Sequence, residues 1–452
     1  MRSEERLGTE KLPKLMVSLA APAIVAQLVN LLYNMVDRMY IGRMAGVGDL
    51  ALTGLGLCNP IILIISAFAA FAGNGGAPLA AIELGRGDRD EAEKILGSAV
   101  TMLLCFSAVL TAVFLVFKVP LLYLFGASDN TVSYANGYLT IYLIGTVFVQ
   151  LALGLNTFIS SQGQARTAML SVLIGAVTNI VLDPILIFAL GMGVQGAALA
   201  TIISQALSAA WIVYFLCSSR SSIRIRAKYM LPSARIIGKI ASLGVSPFIM
   251  QSTESLISIV FNSGLQKYGG DLYVGSMTIL NSVMQLKTVP LMGFSNGVQP
   301  IISYNYGAGN YDRVKRTFRL MLIISLGFCT AFCLAVFIVP TAFARIFTDK
   351  PELIELVGKV LPIYMGAMWI FAVQTSVQVT FLGLGQAKVS LFIACLRKII
   401  LLTPLALILP THFGVMGIYW AEPISDLISA TTSGILFIII SKRLLKKKDM
   451  LS

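Results

Sequence analysis

A chain of 452 residues that is 57% hydrophobic and only 12% charged, with a net charge of +13, carries about half the charged surface expected of soluble domains. Its mean hydropathy of +0.83 excludes an aqueous globular protein and makes lipid the solvent. The six cysteines fall in or beside apolar runs with no CxxC pair, and the single histidine, His412, cannot build a zinc site or a histidine-based catalytic array. No enzyme chemistry and no bound cofactor is therefore expected.

Apolar runs of about 20 residues predict twelve membrane spans. In chain order they centre on residues 14–42, 50–84, 92–118, 132–158, 166–190, 194–217, 239–267, 274–304, 316–340, 354–383, 389–411 and 415–441. The first is preceded by charged residues and lacks a small-residue cleavage site, so it is read as retained. With both termini on one side, 24 Lys and Arg fall on that side, 7 on the other, and Lys287, Arg397 and Lys398 within spans. The positive-inside rule then makes both termini cytoplasmic. The net charge follows from topology and attraction to anionic lipid, so no nucleic-acid partner is expected.

The two halves of the chain match at an offset of about 222 residues. Gly85-Arg-Gly-Asp88 returns as Gly307-Ala-Gly-Asn310, Gly163-Gln-Ala-Arg166 as Gly385-Gln-Ala-Lys388, and Gly193-Val-Gln-Gly196 as Gly414-Val-Met-Gly417. Each copy holds six spans, so both enter the membrane in the same orientation. The expected fold is all-α and integral to the membrane, with a first lobe at 1–217, a cytoplasmic linker at 218–238, a second lobe at 239–441 and a basic tail at 442–452. Two six-helix lobes around a cleft suit alternating access by rocking, and a monomer suffices for it.

A charge at membrane depth costs roughly 2.5–3.5 kcal/mol, so each one retained needs a reason. In the first span Gln27, Asn30, Asn34 and Asp37 recur every three or four residues, forming one polar stripe. In the fifth, Asn179 and Asp183 share a face and Pro184 opens the backbone beside them. Thr201 adds a hydroxyl from the sixth. Asp37, Asp183 and Thr201 each lie roughly 8–11 Å from the outer end of their spans, so three helices bring oxygens to one depth. Two converging carboxylates in a low dielectric cannot both stay ionised without a cation, which predicts a proton or sodium site. The second lobe does not copy it: Asn262 stands for Asp37 and Thr403 for Asp183. Glu254 in the seventh span either attracts a cationic substrate or pairs with Lys287, and Arg397 is expected to pair with Asp426 or Glu422. The chain has no GxxxxGK[ST], and its GxGxxG at Gly191–Gly196 lies in a tight outer turn without βαβ context.

The stretches Leu32-Tyr-Asn-Met-Val-Asp-Arg38, Asn179-Ile-Val-Leu-Asp-Pro-Ile-Leu-Ile-Phe188 and Gly196-Ala-Ala-Leu-Ala-Thr201 resemble the multidrug and toxic compound extrusion (MATE) family, in its DinF-like branch. The resemblance spans nearly the whole chain. It implies a V-shaped pair of bundles in the cell membrane that exports small, often cationic, drug-like molecules by antiport against H⁺ or Na⁺. It also implies a first-lobe cation site at Asp37, Asn179, Asp183 and Thr201, with Asn156 and Gln27 as neighbours. The NorM-like branch instead uses a seventh-span Glu with a tenth-span Asp; Glu254 is similarly placed, but Thr375 stands at the Asp position. The rival reading is a lipid-linked oligosaccharide flippase, whose pyrophosphate would call for cations such as Lys287, Arg397 and Lys398 in the cleft.

Overall fold

The computed structural model describes residues 4–231 and 233–445, and within them every regular element is a helix. Arg2 and the tail lysines 446–448 of the topology tally lie outside the described residues. A short α1 (Glu5–Thr9) precedes α2 (Leu12–Gly42), α3 (Gly48–Arg86) and α4 (Arg89–Leu124). The fourth span is broken into α5 (Val132–Ile144) and α6 (Thr146–Ser161), bent by 60° at Gly145. A Cβ there would lie 2.4 Å from Ile202, so the glycine admits a neighbouring side chain into the break. Then come α7 (Ala165–Pro184), a π-helical turn at Ile185–Ala189, and α8 (Gly193–Cys217).

The second half repeats this plan: α9 (Ala234–Gly269), α10 (Asp271–Gly307), α11 (Tyr311–Ile338), a short α12 (Pro340–Arg345), and a tenth span broken into α13 (Pro351–Tyr364) and α14 (Phe371–Gly383). The eleventh is α15 (Ala387–Cys395), a π-helical segment at Leu396–Leu402, and α16 (Thr403–Phe413); α17 (Val415–Leu444) closes the chain. Among the described residues eight helices are long and apolar enough to cross a bilayer, nine when α5 and α6 count as one bent span. The other three expected spans coincide with α9, α10 and α13–α14; in α9, Gln251, Ser255, Ser258 and Asn262 dilute the apolar run. Large apolar side chains such as Val116, Phe117, Val177, Ile338 and Ile438 stand on the outside, as a lipid solvent demands.

Two apolar cores fill the outer parts of the lobes, one around Ile61, Tyr138 and Ile187, the other around Phe261, Leu361 and Tyr419. The inner cores mix the halves. Ile236 and Ile240 of α9 pack into the first lobe, while Leu15, Met16 and Leu19 of α2 pack with Val298, Ile301 and Phe381 of the second. The lead helix of each lobe thus lends its inner half to the other lobe.

The contact between lobes is backbone against backbone. A Cβ on Gly307 would lie 1.9 Å from the Ile82 carbonyl oxygen, and one on Gly85 would lie 2.0 Å from that of Tyr304. Adding 222 to 85 and 82 gives 307 and 304, so the two contacts are mates under the internal repeat. Between α3 and α9, Cβ atoms on Gly75 and Gly244 would lie 2.5 and 2.1 Å from the Ile240 and Phe71 carbonyl oxygens, and those on Gly293 and Gly297 would lie 2.7 and 2.6 Å from the α2 backbone. Above this seam Phe68 and Phe71 meet Phe248 edge to face, at centroid distances of 4.9 and 6.0 Å. Higher still, Leu32, Met35 and Met39 of α2 and Leu256 and Ile259 of α9 are exposed, so the lobes are closed at the basic end, the one expected to face inward.

The segment around α1 spans the closed end. Glu4 binds Arg89 of α4 and Ser222 of the linker, while the Leu7 carbonyl accepts from Asn305 Nδ2 at 2.9 Å and Arg313 Nε at 3.1 Å. Leu7 itself is fully buried. If the glycine seam closes the inner end, Gly307→Val should hold it open. In a cysteine-free background, labelling of Ser303→Cys by an impermeant maleimide in inside-out vesicles should then rise severalfold; unchanged labelling would show that the seam does not control closure.

Candidate functional site

Asp37 of α2 and Asp183 of α7 are close neighbours where the two helices pack against each other. Asp183 is fully buried, Asn179 is 1% exposed and Asp37 8%. The four-residue spacing sets Asn179 one turn below Asp183, and its Nδ2 donates to Asp183 Oδ1 at 3.3 Å and to Thr201 Oγ1 at 3.5 Å. Thr201 passes its own proton to the Ala197 carbonyl at 3.0 Å, leaving its oxygen free to accept. Pro184 supplies no N–H and the π turn follows it directly, which separates the Asp183 carboxylate from an ordinary helical wall.

Three acceptor oxygens here, Asp37 Oδ1, Asp183 Oδ2 and Asn179 Oδ1, are buried and have no protein donor. Buried acceptors left unpaired cost about 1–3 kcal/mol each, more when charged, so the arrangement calls for a proton or a small cation between them. Among the described residues no cluster of three or more His, Cys, Asp or Glu forms a metal centre. The donor set is hard oxygen, which suits H⁺ or Na⁺ over a transition metal.

Below the carboxylates a cavity of about 200 Å³ descends between α2, α3, α6, α7, α8 and α10. Its wall carries Gln27, Asn30, Asn74, Asn156, Asn179 and Thr201, and α10 of the second lobe closes it with Asn296, Gln299 and Ser303. Gln299 Nε2 and Ser303 Oγ are buried and unpartnered as well, so polar groups stand at both ends of a cavity whose wall is otherwise largely Ala, Pro, Met and Val.

The structure therefore brings Asp37, Asn179, Asp183 and Thr201 together and separates the other expected residues from them. Gln27 lies ten positions before Asp37, about 15 Å away along the helix. The Asn156 amide is tied to α7 at the Ala168 carbonyl (3.1 Å) and Ser171 Oγ (2.7 Å), about 18 Å from Asp183 by helical rise. Both line the cavity without joining the carboxylates. Asn34 is exposed, with its amide on the Asn30 carbonyl at 2.7 Å, and takes no part. Two tyrosines were missed: Tyr33 lines the cavity, and Tyr138 is buried near Asp37 and Thr201. Tyr33 stands four residues before Asp37, a signal open to sequence reading; Tyr138 gives none.

Glu254 does not pair with Lys287. Its carboxylate binds Lys398, which also donates to the Met250 carbonyl at 2.8 Å, and the Glu254 side chain is 60% exposed. Arg397 takes both expected partners, Asp426 at 2.7 Å and Glu422 at 2.6 Å. If the four clustered residues hold a cation, Thr201→Val should weaken Na⁺-dependent thermal stabilisation about tenfold in apparent affinity, a loss of about 1.4 kcal/mol. Asn34→Ala should leave it unchanged; equal effects of the two variants would dissolve the assignment.

The MatE family model matches residues 22–185 and 247–408, one segment in each lobe. The chain is similar to the multidrug export protein MepA of Staphylococcus haemolyticus (strain JCSC1435), with 25% identity over 431 residues, covering 95% of this chain and 94% of that protein. Among solved structures it resembles a MATE crystal structure in a bent conformation, with a TM-score of 0.90, 25% identity and 98% of each chain covered. It also resembles an outward-facing multidrug resistance MATE family transporter, at a TM-score of 0.89, 23% identity and coverage of 97% of this chain and 98% of that one. A family model that claims both repeats, on a fold shared over nearly the whole length, establishes that the chain belongs to the MATE family.

Proposed function

We propose that the protein is a secondary active multidrug exporter of the cell membrane, exchanging organic, often cationic, compounds for H⁺ or Na⁺ at the Asp37–Asp183 site of the first lobe. The lobes are taken as 1–217 and 239–441, joined by the 218–238 linker, with both termini cytoplasmic. One observation carries the reading: two buried carboxylates with unpartnered oxygens stand over a cavity and have, among the described residues, no buried cationic side chain beside them. The relatives named for multidrug export agree with it.

The cavity of about 200 Å³ is smaller than the roughly 300–1,000 Å³ that drug-sized ligands occupy. It suits water and an ion in this state, which leaves the cleft between the lobes for the organic substrate. A cation entering from outside neutralises the carboxylates and lowers the lobe's affinity for its substrate; by linkage the substrate lowers affinity for the cation equally. Each charge moved inward yields about 2.3 kcal/mol per 100 mV, roughly a fiftyfold substrate gradient. The flippase alternative would need cations facing the cleft, whereas Lys287 is fully buried, Lys398 is 4% exposed and Arg397 is held by two carboxylates.

Ethidium efflux from vesicles under an imposed pH or Na⁺ gradient tests the proposal. Wild type should respond to one gradient, and Asp183→Asn should lose at least nine-tenths of that response while inserting normally. Gradient-driven efflux that survives in Asp183→Asn would overturn the site.

A further inference from the structure

The second lobe holds a filled charged cluster at the positions that match the wall of the first lobe's cavity beside its ion site. Gly193 and Gly196 match Gly414 and Gly417 at an offset of 221, and the same offset carries Thr201 to Glu422, Ser204 to Ser425, Gln205 to Asp426 and Ser208 to Ser429. The helix crossings agree: a Cβ on Gly196 would lie 2.7 Å from the Leu186 carbonyl, and one on Gly417 would lie 2.5 Å from that of Leu409. Where the first lobe offers a hydroxyl and an amide, the second offers two buried carboxylates.

The position of Arg397 completes the comparison. Gly163-Gln-Ala-Arg166 matches Gly385-Gln-Ala-Lys388 at an offset of 222, which carries Gly175 to Arg397. A Cβ on Gly175 would lie 3.6 Å from the Ser204 carbonyl, and Ser425, the mate of Ser204, donates to the Arg397 carbonyl at 3.0 Å. Gly175 lines the first-lobe cavity; its mate fills the corresponding space with a guanidinium. Asp426 is fully buried and its Oδ2 has no partner. Lys287, also fully buried, lies across the Phe371 ring from Arg397, each cation 4.6 Å from the ring centroid, with its Nζ 2.8 Å from Met368 Sδ. The second lobe therefore sets Arg397, Lys398 and Lys287 against Glu422, Asp426 and Glu254, three against three, while the first-lobe pair has, among the described residues, no buried cation beside it.

We propose that Arg397 is a tethered cation, standing in the second lobe where a mobile ion stands in the first, and that Glu422 and Asp426 become a monovalent-cation site when its guanidinium is removed. Arg397 thereby restricts coupling to one lobe. The proposal rests on the first-lobe reading for the meaning of the filled site, and the experiment separates the two.

The probe is thermal unfolding of the purified full-length protein in NaCl or millimolar guanidinium chloride, against choline chloride at equal ionic strength. Asp183→Asn silences the first lobe. In that background Arg397→Ala should acquire a cation-specific rise on the order of 2–4 °C, absent from Asp183→Asn alone and abolished by adding Glu422→Gln and Asp426→Asn. No cation-specific rise, or one that persists without both carboxylates, overturns the proposal. If Arg397→Ala does not accumulate, adding Glu422→Gln and Asp426→Asn should restore it, and failure to restore it overturns the proposal too. Efflux surviving Asp183→Asn would sink the first-lobe reading alone and leave a cation response of the Arg397 variant standing.

Discussion

Carboxylates held at membrane depth must be neutralised, and most of what is specific to this molecule follows from how that is done. In the first lobe Asp37 and Asp183 stand together above a cavity with unpartnered oxygens and, among the described residues, no buried cation beside them. Their charge is left for something that comes and goes. In the second lobe Glu422 and Asp426 are engaged by an arginine that cannot leave. The second-lobe pair thus has a fixed counter-charge that the first-lobe pair lacks, although both halves follow one six-helix plan.

The seam between the lobes provides the complementary mechanical condition. Where Gly85 and Gly307 bring backbone against backbone, the two lobes approach without side chains between them at those points, flanked by apolar cores that both halves share. Because the contact occurs twice, related by the repeat, neither lobe is the fixed member. The cavity reaches this seam through Gln299 and Ser303, so parting the lobes at the inner end also alters the lower wall of the ion site's cavity.

Much of this was legible in the sequence, for identifiable reasons. Lipid solvent forces long apolar runs, so twelve spans could be read with fair boundaries. The cost of intramembrane charge isolates the informative residues; helical rise put Asp37, Asp183 and Thr201 at one depth, and four-residue spacing put Asn179 on the face of Asp183. The failures have physical causes as well. The stripe on α2 is half-buried at Gln27 and Asn30, surfaces at Asn34 and is buried again at Asp37, where α7 packs on it; helical period alone cannot show where an enclosing neighbour lies. The Glu254–Lys287 pairing failed because the π segment at Leu396–Leu402 turns Arg397 toward α17 and Lys398 toward α9, and Lys398 takes the glutamate first. The breaks at Gly145 and at 365–370 likewise depend on what packs beside them.

The segment at α1 has a consequence for the order in which the molecule is made. The Leu7 carbonyl is bound by Asn305, 298 residues further along the chain, and by Arg313 beyond it. At roughly 5–20 residues per second, the ribosome needs about 15–60 s to supply the first of these partners. The whole first lobe emerges while the segment that will bridge the inner end still lacks half of its seat. Leu7 thus precedes both lobes in the chain yet takes its seat only after the second has been made, so its docking reports that both lobes have arrived.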